Sequence, residues 1–117
     1  MTGRPVAYVV DRDPEFCTLL VEMLTRFDVL AVPLEVSDLQ RAVGSHVHWL
    51  FIDATTGWPY LRDLANLPLT LVVMAWDTEL EETVRRWIPT ALFLPKAAVK
   101  DSSLLSAILR PPDEAWE

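Results

Sequence analysis

The chain predicts an α/β domain: a doubly wound, five-stranded parallel sheet with helices on both faces. Three observations lead there. Short apolar runs recur along the 117 residues, at Val6–Val10, Val29–Val32, Trp49–Ile52, Leu69–Ala75 and Ala91–Leu94. Each run is continuous rather than alternating, as in strands covered on both faces. Between the runs lie segments with helical periodicity and helix start signals. Strand alternating with helix implies parallel pairing through right-handed crossovers.

The elements follow in order. After the first strand, Asp13 is placed to cap a helix, with Pro14 at its first position and Glu15 near the positive end of its dipole. Phe16, Leu20, Met23, Leu24 and Phe27 then recur at helical spacing. Ser37 and Gln40 have the spacing of a capping box for a short helix ending near Gly44. Pro59 is expected to open a third helix running through Leu64. Thr78 with Glu81 predicts another capping box, opening a helix on which Glu81–Arg85 and Glu82–Arg86 stand four apart in the favourable order. Pro89 stops that helix. Asp101 or Ser102 caps the last one, which ends before Pro111–Pro112. For a (βα)5 domain of this size the expected strand order is 2-1-3-4-5, the flavodoxin-like arrangement. One domain is expected over 1–110, followed by a loose acidic tail at 111–117 that includes Trp116.

Composition removes several classes of function. The chain is 51% apolar and 23% charged, ordinary for a globular protein. Its net charge of −7 opposes nucleic acid and anionic membranes, whose affinity for proteins rests on phosphate neutralisation, and Arg85–Arg86 is the only adjacent basic pair. The single cysteine, Cys17, forms no intrachain disulfide and is expected to be a buried, inert thiol. His46 and His48 have no nearby acids or thiols and do not read as a metal pair. No segment approaches the length of a membrane span or a secretory signal, so a cytoplasmic protein is expected.

In open α/β sheets, ligands collect beyond the carboxyl ends of the strands. That rule brings together Asp11, Arg12 and Asp13 after strand 1, Asp53, Ala54 and Thr55 after strand 3, Ala75, Trp76 and Asp77 after strand 4, and Pro95, Lys96 and Ala97 after strand 5. The segments VVDRDPEF, LFIDATTG, LVVMAWD and FLPK, in this order and spacing, resemble the signature segments of the receiver domains of bacterial response regulators. The resemblance runs from about Val6 to Leu109. It implies phosphoryl transfer from a phosphohistidine to an aspartate with Mg²⁺. Asp53 stands at the acceptor position, Lys96 at the phosphate-pairing lysine and Phe93 at the aromatic switch. Any metal would fall to Asp11, Asp53 and Thr55.

The departures from that pattern carry as much information. Where receivers have a second acid after strand 1, this chain has Arg12, a change of two charge units against a metal that needs anionic oxygen ligands. Asp13 is one residue further on and is read as a helix cap. Ala75 replaces a Ser or Thr whose hydroxyl bonds the phosphoryl group, and a methyl makes no such bond. Trp76 replaces a small residue. For Arg12, two readings stand: a built-in cation bridging Asp11 and Asp53, or a side chain turned to solvent. For Trp76, the readings are a lid over Asp53 or a partner contact. Lys96 is expected to pair with Asp53.

The resulting expectation is an atypical receiver-like signalling domain that acts by protein–protein interaction, is not an enzyme, and has weakened or absent Mg²⁺-dependent phosphorylation. No output domain is expected, since the chain ends about eight residues past the last helix. The partner is a histidine kinase or a downstream effector, and a homodimer through the helix 4–strand 5–helix 5 face, with Phe93 and Trp87, is a further option. The alternative is a working response regulator phosphorylated on Asp53. A remote alternative is a small phosphatase using the DxD spacing of Asp11 and Asp13.

Overall fold

The computed structural model describes residues 4–39 and 47–110. Its strands are β1 (Val6–Val10), β2 (Leu30–Leu34), β3 (Trp49–Asp53), β4 (Thr70–Ala75) and β5 (Leu92–Pro95). All pair in parallel in the order β2-β1-β3-β4-β5, the order expected. Helices α1 (Pro14–Arg26), α2 (Ala54–Gly57), α3 (Leu61–Leu64), α4 (Leu80–Trp87) and α5 (Ser102–Leu109) complete the described elements, with 3₁₀ turns at Val36–Asp38, Trp58–Tyr60 and Lys96–Ala98.

The apolar runs are continuous because each strand feeds two cores. Ala7, Val9, Phe51, Val72 and Leu94 pack against Leu20 and Leu24 of α1 and Leu105 and Ile108 of α5. Their neighbours Val10, Leu50, Ile52, Val73 and Phe93 pack the other way, against Leu61, Leu64, Val84 and Ile88. The two prolines within strands, Pro33 and Pro95, sit on the edge strands β2 and β5, where a missing N–H costs the sheet least.

Helix ends follow the caps with two exceptions. Asp13 Oδ1 accepts from the N–H groups of Glu15 (3.0 Å) and Phe16 (3.3 Å), and Asp101 Oδ1 from those of Ser103 (3.0 Å) and Leu104 (3.2 Å). The Glu81–Arg85 and Glu82–Arg86 pairs form at 2.6 and 3.1 Å. The Thr78–Glu81 capping box does not form. Asp77 Oδ1 instead accepts the Glu79 N–H at 2.9 Å, and α4 begins at Leu80. Nor does the third helix wait for Pro59: the chain turns helical directly after Asp53, because the Asp53 carboxylate itself caps α2. Ser37 lies within the Val36–Asp38 turn, and the remainder of the expected second helix, with the tail, lies outside the described residues.

Two backbone positions are tightly specified. Helix α1 ends in a Schellman arrangement: the Asp28 N–H donates to Thr25 O (3.0 Å), the Val29 N–H to Leu24 O (3.2 Å), and Leu24 and Val29 share a core. The left-handed position falls on Asp28, at φ 61°, where glycine would be unstrained. Gly57 packs its Cα against Ile52; a Cβ there would lie 2.2 Å from Ile52 Cδ1, in a core where Ile52 is fully buried. Asp28→Gly is expected to raise stability by about 0.5–1 kcal/mol, and Gly57→Ala to lower it by about 1–3 kcal/mol, both measured by urea unfolding.

Candidate functional site

The carboxyl ends of the strands converge on one buried cation. Asp11, one residue past β1, and Asp53, the last residue of β3, both reach Lys96, which begins the turn after β5. Lys96 Nζ lies 2.7 Å from Asp11 Oδ2 and 2.7 Å from Asp53 Oδ1. The side chains of Lys96, Asp11 and Asp53 are only 3%, 3% and 12% exposed. The other carboxylate oxygens are held by the chain. Asp11 Oδ1 accepts the Asp13 N–H at 2.9 Å. Asp53 Oδ2 accepts the Thr56 N–H at 2.9 Å and the Thr56 hydroxyl at 3.0 Å. Among the described residues, Asp11 Oδ2 has no hydrogen-bond partner besides its ion pair with Lys96.

An aromatic cover completes the site. Phe16, in the first turn of α1, meets Trp76, the residue after β4, edge to face with centroids 5.8 Å apart and planes at 70°. Lys96 Nζ lies 4.8 Å from the Phe16 centroid and 5.9 Å from that of Trp76, within cation–π range. Phe16 is buried, whereas Trp76 is 61% exposed. Trp76 therefore turns one face toward Phe16 and the ammonium and leaves much of its ring to solvent.

Charge states follow from these contacts. Burial pushes the Asp53 carboxyl up, but the hydrogen bonds and charge of Lys96 and the Thr56 donors outweigh it and hold Asp53 below the ordinary value. Burial pushes the Lys96 ammonium down, but Asp11 and Asp53 outweigh that and hold it above the ordinary value. Burial, then the charges of Asp11 and Asp13, raises the Cys17 thiol, away from the thiolate form.

The remaining candidates separate clearly. Arg12 is exposed, and among the described residues the cation pairing with Asp11 and Asp53 is Lys96; of the two readings for Arg12, the structure has the solvent-facing one. The reason is local: Asp11 takes the Asp13 N–H in a turn that spans Arg12 and leaves it at the apex. Asp13 is exposed and spent as the α1 cap, so the two acids of the DxD spacing do not work together. Ala75 is buried at the end of β4, pairing with Pro95. Thr55 is exposed; the threonine that contacts Asp53 is Thr56, which sequence reading missed. The pattern Asp-x-x-Thr before a helix was its available signal. Phe93 is 8% exposed and faces the core beside Val84 and Ile88, so it is not a surface contact. Trp87 is partly exposed, its ring 4.9 Å from that of Trp58 and 4.9 Å from the Arg62 guanidinium. His48 Nδ1 accepts the Val6 N–H at 3.1 Å, a structural role; His46 lies outside the described residues.

The donor set does not fit Mg²⁺, which the resemblance implies. That ion needs near-octahedral oxygen ligation and keeps several waters. Here two carboxylate oxygens are committed to N–H and O–H donors, and the other two are at 2.7 Å from an ammonium under aromatic rings. Among the described residues no three His, Cys, Asp or Glu side chains gather as a metal site.

A five-stranded parallel sheet of order β2-β1-β3-β4-β5 is the flavodoxin-like arrangement. Two solved structures share it. A response regulator receiver protein from Pseudoalteromonas atlantica superposes with a TM-score of 0.68 at 20% identity, over 91% of this chain and 100% of that one. A response regulator from Thermotoga maritima gives 0.72 at 14% identity, over 91% and 98%. No family model and no curated protein matches the sequence. No helix among the described residues is long and apolar enough to cross a membrane.

The pH dependence of stability follows from the bridge. Asp53, depressed from 3.8, contributes stability that is present above that value and lost as pH falls through its folded pKa. Lys96, raised from 10.5, contributes stability present below that value and lost as pH rises through its folded pKa. The bridge contribution is therefore flat between 3.8 and 10.5 and declines outside. Lys96→Met leaves two buried acids without a counterion. It is expected to cost about 3–5 kcal/mol near neutrality, and, unlike the parent, to gain stability as pH moves from neutral toward mildly acid. Chemical unfolding across pH checks both slopes.

Proposed function

We propose that this chain is an atypical receiver-like signalling domain that works by binding another protein, with Mg²⁺-dependent phosphorylation of Asp53 weakened or absent. The observation that carries the reading is the double ion pair. All four oxygens of Asp11 and Asp53 have partners supplied by the chain, so neither carboxylate offers a free face to a metal or a phosphodonor. Ala75 supports it by lacking the hydroxyl that would hold a phosphoryl oxygen. In this reading the domain is not an enzyme, its setting is cytoplasmic, and its partner is a histidine kinase or an effector. Self-association through the α4–β5–α5 face is part of this reading, although Phe93 is buried and Trp87 turns toward Trp58 and Arg62.

A second reading keeps Asp53 as a phosphoacceptor. What favours it is that Asp53 is held ionised beside a lysine, as a nucleophilic carboxylate with a phosphate-pairing cation requires. Incubation with acetyl phosphate and Mg²⁺, followed by intact-protein mass spectrometry, separates the two. No phosphoryl adduct is expected on the parent chain. A stoichiometric adduct that Asp53→Asn abolishes would reject the phosphate-independent reading.

A further inference from the structure

Two carboxylate oxygens and two aromatic rings surround one ammonium in this site, and that combination selects a class of ligand. Asp11 Oδ2 and Asp53 Oδ1 are the oxygens left over from hydrogen bonding to the chain, and both stand 2.7 Å from Lys96 Nζ. The Phe16 and Trp76 centroids lie 4.8 and 5.9 Å from the same nitrogen. An aromatic face attracts an ammonium through its quadrupole, but it cannot accept the strong hydrogen bonds of the water shell that a small divalent ion retains. We propose that Asp11, Asp53, Phe16 and Trp76 form an ammonium-binding cage whose resident occupant is Lys96, and that shortening Lys96 opens a site for short primary alkylammonium ions. The inference rests on the geometry of the cage and not on whether partner binding is independent of phosphate.

The walls come from separate parts of the fold, so the cage is a property of the folded sheet edge. Asp11 follows β1, Asp53 ends β3 and Trp76 follows β4. Phe16 belongs to the first turn of α1, where its N–H is held by Asp13. Phe16 is the buried back wall and Trp76 the exposed front, so a small ion enters past the indole. n-Propylammonium reproduces the atoms from Cγ to Nζ that Lys96→Ala removes, which makes it the matched probe.

The test is thermal unfolding of the full-length Lys96→Ala chain. n-Propylammonium chloride is expected to raise its Tm saturably by roughly 3–6 °C above equal concentrations of KCl. n-Propanol should do nothing, and MgCl₂ at equal ionic strength should do less than the amine. Adding Trp76→Ala should reduce the amine's advantage. Stabilisation by Mg²⁺ equal to or greater than that by the amine, or an amine effect no larger than that of KCl, overturns the proposal. Should Lys96→Ala not fold, the parent chain decides by NMR. A protected Lys96 ammonium with its Cε protons shifted upfield, and a smaller shift in Trp76→Ala, are expected. Lys96 resonances at ordinary lysine positions in the parent overturn the cage. None of these measurements uses a phosphodonor, so their failure is separable from the outcome of the acetyl phosphate experiment.

Discussion

An ammonium held between two buried carboxylates governs the carboxyl edge of this sheet. Lys96 leaves the edge strand β5 and reaches, beyond β4, the ends of β3 and β1. Three of the five strands are thereby tied at one point. Burying three charges carries a large desolvation cost, which is offset only when geometry is good and the remaining lone pairs are satisfied. Asp53 meets that condition fully, through Lys96 and the two Thr56 donors. Asp11 meets it with the Asp13 N–H on one oxygen and the ammonium on the other.

The same interaction explains why the turn after β3 is helical at once. A carboxylate that caps α2 with one oxygen and binds Lys96 with the other cannot rotate without losing both. The capped turn draws Gly57 onto Ile52, and the absence of a side chain there lets helix and strand approach. Capping, core packing and the ion pair therefore reinforce one another around Asp53.

Charge balance gives the substitutions a common direction. Two acids against one ammonium leave the buried triad with a single excess negative charge. A further acid at position 12 would raise that excess, while Arg12, exposed at the rim, offsets part of it at longer range with solvent screening. Trp76 adds a second bias of a different kind, because its ring favours a fixed ammonium and offers no ligand to a hydrated ion.

Much of this was legible in the residues. The five apolar runs disclosed a sheet covered on both faces, the caps at Asp13 and Asp101 placed two helices, and the strand ends nominated Asp11, Asp53 and Lys96 as neighbours. These features depend on local composition and on a topology rule that tolerates small errors in strand boundaries. Other features were set only by the folded chain. Whether Arg12 or Lys96 bridges the acids depends on a turn geometry that places Arg12 at its apex. Which threonine meets Asp53 depends on where α2 begins, and that is set by the carboxylate it caps. Phe93 faces inward and Trp76 outward because of strand pairing and loop path. Sequence determined which chemical groups gather at the sheet's edge, since strand order follows from patterning. Tertiary structure decided which of them touch, since a contact of 2.7 Å depends on side-chain directions that neighbouring residues in a turn do not share.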